Sequence, residues 1–560
     1  MNALGWGVRG SGFGVREPAL PRPGHAHRSP SFPRFLSWCL GVLVASSGVA
    51  FAGEAEAPAK KTVSGIHVWT DRSVDCFTRD TIIRSLIKPE MTDEQKAVAL
   101  WRFVNRRIWH SPRPDDNDPQ RVLCVYGYAL CGTIRETLVW LGQGVFGKEG
   151  AGDSGVSSRE IDDPAVFNIA GGGWLVDSLF RLDGGKAPGR MGHSWAQFRY
   201  GGRLHYLDAH ATFYVYTADG KQIASLEEIG GDPTLVTDPV RTSEPFMPCD
   251  GGRPEFFYRA AGGGLGTGER KTAHSMALTV RPGEALVFHF DKLPGGYFKR
   301  SESWKGQWDP EFTKNGPAHN CNSGAEASWR HYGNGEILYK PDFSKGGFRE
   351  ALAASDNLAA QADDGKPGLH PREAGKPAAA AFSFGTPYVM VGGEVSAEFD
   401  LPKDARAKLL LVVGGKALAV AEAAGAGGKQ KVSGKLDLQA AGYPYAAQVR
   451  VELSGGAADA PPALLALDVR IVTQLNFLTL PRPLPGKNLV SFECTGGDPE
   501  AAGLRISWHW IGKGGAQAVD NFPIPPRRQF AYSMEIGPVE TQPEENPKYM
   551  RWLRLEMPDK

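Results

Sequence analysis

The chain has 560 residues, with 63 Lys and Arg against 62 Asp and Glu and a formal charge of +1, so no bulk field draws it to nucleic acid or anionic lipid. Its length allows several domains with cores of their own. The 70 glycines and 41 prolines exceed ordinary usage and suit loop-rich β domains better than a helical bundle.

Residues 35–52 form an apolar run preceded by Arg34 and other basic residues and closing on Ala50, Phe51 and Ala52. An A-x-A ending of this kind reads as a secretory signal over 1–52, with an N-terminal membrane anchor as the other reading. Export would place the protein in the periplasm, the cell envelope or outside the cell. No later run is long and apolar enough to span a bilayer, so no stable membrane insertion is expected after cleavage. Loss of Cys39 with the leader leaves Cys76, Cys124, Cys131, Cys249, Cys321 and Cys494, which an oxidising compartment can pair; Cys131 with Cys124 is one such pairing. No C-x-x-C pair or Cys/His cluster at metal spacing occurs, so neither a metal nor a cofactor is expected.

A linker over 53–74 precedes a first globular unit over 75–247. Thr92 to Gln95 forms a capping box, and Ala97, Leu100, Trp101, Val104 and Ile108 share one face of the helix that follows. After a polar loop comes R-V-L-C-V-Y-G-Y-A-L-C-G-T, then Ile134, Leu138 and Leu141 at helical spacing. Cys131 stands at the start of that helix, where unpaired first-turn amides and the macrodipole favour a thiolate. Such a cysteine is a nucleophile if a base can be found. A short strand is predicted within 171–182.

From Met191 the pattern turns to β structure. H-S-W-A-Q-F-R-Y and R-L-H-Y-L-D are joined by Gly201 and Gly202, the mark of a tight hairpin. With the glycines as the turn, Tyr200 faces Arg203, Trp195 faces Asp208 and His193 faces His210. Alternation then puts His193, Trp195, Asp208 and His210 on one face, with His193 and Asp208 as diagonal neighbours roughly 7–8 Å apart at the backbone. His205 falls on the other face and reads as structural. Residues 248–350 read as a β-rich module, 351–381 as an Ala-, Asp-, Lys- and Pro-rich linker, and 382–560 as β-sandwich modules with strands near 388–399, 408–413, 449–453 and 464–472.

The segment from about Asp75 to Glu228, under a third of the chain, resembles the transglutaminase-like superfamily of papain-like architecture, especially its bacterial exported members. G-Y-A-L-C-G-T around Cys131, G-H-S-W around His193 and G-G-R-L-H-Y-L-D ending at Asp208 carry the likeness. The resemblance implies an α+β fold, a papain-like domain followed by β-sandwich modules. It also implies Cys131 as nucleophile, His193 as base and Asp208 as the group that orients the imidazole, the logic of the Ser-His-Asp triad with a more acidic nucleophile. The Cys131 backbone amide is a candidate oxyanion donor, Tyr126 and Trp195 are candidate pocket walls, and His210 is expected to face the site without a role the family assigns. Hydrolysis of a protein or peptide amide is favoured over crosslinking, because nothing marks an amine-donor site. The rival reading is a catalytically inactive module that binds protein or polysaccharide, and a third is glycan processing, with Trp304, Trp308 and Trp329 of the β modules as candidate stacking residues.

Overall fold

A computed structural model of the protein describes residues 61–110, 116–129, 131–156, 193–209, 214–232, 235, 269–290, 293, 333–457, 459–525, 527–540 and 549–559. The expected leader over 1–52, the strand within 171–182, His210, Cys249, Cys321, Trp304, Trp308 and Trp329 lie outside those residues. The described part combines helices with mainly antiparallel sheets, an α+β architecture rich in sheet-on-sheet packing. Among the described residues no helix is long and apolar enough to cross a membrane.

Strand β1 (Val63–Thr70) occupies what composition suggests is a linker. It pairs antiparallel with Gly486–Glu493, His67 opposite Glu493, and on its other edge with Leu278–Val280. Partners more than 200 and more than 400 residues away in sequence leave no local trace, so composition alone reads this stretch as a linker. His67 stacks between Trp69 at 4.4 Å and Phe77 at 3.9 Å. Its ring nitrogens lie 2.9 Å from carboxylate oxygens of Asp75 and Glu493, tying the two strands to the start of the helical layer.

Helices α1 (Arg79–Leu86) and α2 (Asp93–Asn105) each open on a capping box, Thr78 with Thr81 and Thr92 with Gln95. The α2 face read from the sequence is buried at Ala97, Leu100, Trp101 and Val104. Helix α3 (Cys131–Phe146) begins at Cys131. Its Ile134, Leu138 and Leu141 are fully buried, each contributing about 2 kcal/mol of hydrophobic stabilisation. It rests on a three-stranded sheet of β2 (Ala151–Val156), β3 (His193–Tyr200) and β4 (Arg203–Leu207). At Gly142 a Cβ would come within 2.5 Å of the Phe198 ring, so only glycine lets the helix approach this closely. The hairpin has the expected register, Tyr200 opposite Arg203 and Ala196 opposite Leu207. Gly201 and Gly202 have φ of 57° and 79°, the left-handed pair of a tight primed turn.

Beyond this layer, one long sheet runs through Leu358–Ala360, Leu369–Pro371, Ala463–Gln474, Gly333–Tyr339, Glu284–His289, Met550–Met557, Arg505–Ile511 and Gln517–Pro523. Through Tyr339, on a strand in the middle of that order, it faces a five-stranded sheet, the Tyr339 ring lying 5.8 and 5.5 Å from those of Phe382 and Phe384. At the Gln517–Pro523 end Phe522 stacks on Tyr532 at 3.8 Å, and the Trp508 indole donates to the Tyr532 hydroxyl at 2.8 Å. Tyr532 belongs to the sheet that contains β1. Residues 351–381 differ from the linker expected. They hold Leu352–Asp356, Leu358–Ala360, Leu369–Pro371 and the start of Ala378–Gly385, all in sheets. Ala378 and Ala380 are buried there; small side chains under a sheet and small side chains in a flexible join have the same composition.

The helical layer is joined to the sheets through Val122–Tyr126, a π-helical turn closed by the Gly127 amide donating to the Val122 carbonyl at 2.8 Å. Its carbonyls are met from outside. The Asn476 amide group donates to Leu123 O at 2.7 Å and to Arg107 O at 3.0 Å, while the Asn476 backbone N–H donates to Cys124 O at 2.9 Å. Asn476 is 1% exposed, so no water replaces it. Asn476→Ala leaves two carbonyls without that donor and is expected to lower stability by roughly 2–4 kcal/mol. A lower urea midpoint at unchanged slope is the readout.

Candidate active site

Helix α3 packs on strand β3 through their C-terminal ends. Phe146 at the end of α3 packs against Phe198 at 5.3 Å and Tyr200 at 5.8 Å, towards the end of β3. From there back to Cys131 along the helix, and back to His193 along the strand, the two elements each cover roughly 23 Å. From that shared contact the helix leads back to Cys131 and the strand to His193, the first residue of each. Strand β4 runs antiparallel to β3, and Asp208, one residue past Leu207, returns towards the His193 end of β3.

Asp208 is fully buried. The Tyr206 hydroxyl donates to its Oδ2 at 3.0 Å; residues two apart on a strand share a face, so this contact follows from β geometry. Burial, and then the neighbouring carboxylate, push the Tyr206 phenol well above its ordinary range, which keeps it a donor. The Tyr206 ring also meets Trp195, itself 1% exposed, at 5.7 Å. Helix α2 holds the backbone beneath: the Trp101 indole donates to Asp208 O at 2.8 Å, and the Asn105 side chain donates to Ala209 O at 2.9 Å. Trp101 and Asn105 stand one helical turn apart, which lets both reach the same strand end.

The remaining expected residues are placed differently. Tyr126 is 1% exposed, with its hydroxyl 2.9 Å from that of Tyr445; it belongs to the joint between layers. His205 is on the face opposite Asp208, as its register requires, stacked on Tyr200 at 3.6 Å with its nitrogens near Ile223 O and Tyr200 O. Cys124 is a free buried thiol, as are Cys76 and Cys494, which excludes the pairing of Cys124 with Cys131. Among the described residues no group of three or more His, Cys, Asp and Glu could hold a metal ion. Sequence reasoning passed over Tyr206, Trp101 and Asn105. Tyr206 was within reach, two residues before Asp208 in the quoted motif, whereas the α2 contacts span more than 100 residues of chain.

Burial pushes the Cys76 thiol up to about 12, the neighbouring Arg107 opposing it only in part, and raises Cys124 well above its usual value for the same reason. A thiol reacts through its thiolate. In native protein at pH 8, neither cysteine is expected to be alkylated by iodoacetamide until denaturant is added. Peptide mass spectrometry of both sites checks this, and modification without denaturant would contradict the buried placement.

No protein-family profile matches the chain, and no curated protein matches it in sequence. Among solved structures, the glycoside hydrolase domain of Endo-D from Streptococcus pneumoniae R6 superposes at a TM-score of 0.12 with 8% identity. That match covers 41% of this chain and 35% of the other, and a superposition of this quality fixes neither fold nor activity.

Proposed function

We propose that the protein is an exported thiol enzyme of transglutaminase-like type that cleaves amide bonds through Cys131, His193 and Asp208. What supports this reading is the arrangement of the elements: α3 and β3 pack together at their C-terminal ends and start at Cys131 and His193, and Asp208 follows β4 back towards the start of β3. A nucleophile at a helix start gains from unpaired amides and from the positive end of the macrodipole. A carboxylate that is buried and hydrogen-bonded, as Asp208 is, is held to one orientation and suits the task of aligning an imidazole.

In this mechanism the Cys131 sulfur attacks the amide carbonyl carbon while His193 takes the thiol proton. The tetrahedral oxyanion accepts a hydrogen bond from the Cys131 backbone amide. His193 then delivers its proton to the departing amine, leaving a thioester. Water, deprotonated by His193, attacks that thioester, and the acid is released as the thiol is restored. Asp208 stabilises the imidazolium in both halves, and Tyr206 keeps Asp208 in place.

Site-resolved alkylation separates this reading from a binding module. Cys131 is expected to react with iodoacetamide at pH 6–7, and to slow by at least about tenfold in His193→Ala, because the thiolate is then no longer stabilised by an imidazolium. Alkylation no faster than that of an ordinary thiol, unchanged in His193→Ala, would sink the proposal. Loss of the Tyr206 hydroxyl removes one hydrogen bond to a charged group, worth about 1.5–3 kcal/mol. Tyr206→Phe is therefore expected to slow the same alkylation by about ten- to a hundredfold, whereas Tyr126→Phe leaves it unchanged.

A further inference from the structure

A cavity of about 200 Å3 opens where three stretches of chain meet: the turn after β1 with Arg72, the C-terminal end of α2 with Arg106 and Arg107, and the segment after Asn476 with Arg482. Among the described residues no Asp or Glu lines it. Four guanidinium groups repel one another in so small a space. Among the described residues Arg72, Arg106 and Arg107 have no carboxylate partner. The C-terminus of α2 contributes only about half an elementary negative charge. The thiols of Cys76 and Cys124, close to Arg107, are kept protonated by burial and add none.

Arg107 is the best defined of the four. Its guanidinium lies 4.2 Å from the Phe103 ring centre, which fixes its plane, and its Nε is shut off from solvent with no acceptor. Burial, together with the charges of Arg482 and Arg106, pulls this group down to about 10 against the opposing effect of Cys76. At the rim, Arg72 is fastened by donating to Pro485 O at 2.6 Å.

We propose that this cavity binds a phosphate-type oxyanion carried on a partly apolar molecule. Guanidinium forks match phosphate oxygens two at a time, and an arriving dianion would remove the repulsion among the arginines. Val74, Phe477 and Leu480 form an apolar part of the wall, suited to hydrocarbon next to the charged group. The site stands apart from Cys131 and does not depend on the reading given above. The same chemistry is offered by a soluble phosphate compound and by a lipid phosphate headgroup.

The test titrates the full-length protein with inorganic pyrophosphate at constant ionic strength, following the thermal midpoint and the heat of binding. In parallel, the protein is sedimented with phosphatidic acid and with phosphatidylcholine vesicles. Pyrophosphate is expected to raise the midpoint above a matched chloride control, and Arg107→Gln to weaken binding by about tenfold or more. Arg72→Gln, at the exposed rim, keeps the test open if Arg107→Gln does not fold. Sedimentation with phosphatidic acid vesicles, lost in either variant, supports the site with a lipid-borne group, and a pyrophosphate response without sedimentation supports it with a soluble one. No response to either probe, or binding by both folded variants equal to wild type, overturns the proposal.

Discussion

The hydrogen bonds of Asn476 are the constraint on which the joint between helices and sheets depends. A π-helical turn has one more residue per hydrogen-bonded ring than an α-helix, so its carbonyls splay and need partners from elsewhere. Between Val122 and Tyr126 those partners come from a residue more than 350 positions later. The side chain of Asn476 also caps Arg107 at the end of α2, so one buried amide holds the segment leading to Cys131 and the helix lying over Asp208. Packing around it is tight, with Tyr126 against Tyr445 and Arg121 over the Tyr445 ring at 4.5 Å.

That joint makes the candidate site a product of distant parts. Helix α3 begins where the π-helical stretch and the short segment after it end, and α2 holds the backbone at Asp208 and Ala209 through two side chains one turn apart. Asn476 bonds to the backbone just past α2 and to the π-helical stretch that precedes α3. A buried carboxylate is costly unless it is hydrogen-bonded, and Tyr206 meets that need from the neighbouring position on the same strand face. Hydrophobic packing thus fixes the elements and a few buried hydrogen bonds fix the strand end. The same division holds at β1, where His67 lies between two aromatic rings and two carboxylates.

The long sheet gives the β region its continuity. One part of it packs on the five-stranded sheet and another on the sheet containing β1, so residues near 63, 285, 335, 470 and 555 share one framework. Sequence order and spatial order diverge here, because antiparallel pairing needs only complementary edges and buried faces, not proximity along the chain. The arginine-lined cavity arises from the same divergence. Arg72, Arg107 and Arg482 are unremarkable when scattered over 400 residues and become a concentrated charge only when β1, α2 and the segment after Asn476 meet.

What could be read in the residues themselves was local. The capping box at Thr92, the apolar faces of α2 and α3, the helix start at Cys131 and the Gly201–Gly202 turn with its register all depend on neighbours within a few positions, where spacing and backbone preference suffice. The register also indicated that Asp208 and Trp195 lie opposite each other and that His205 faces away. Tertiary structure alone decided the rest: that residues 63–70 and 351–381 are strands rather than joins, that Tyr126 and Cys124 belong to a buried joint, and that Tyr206, Trp101 and Asn105 support Asp208. Each of those depends on a partner tens to hundreds of residues away, and a pairing energy is invisible in a sequence until folding brings its second half into contact.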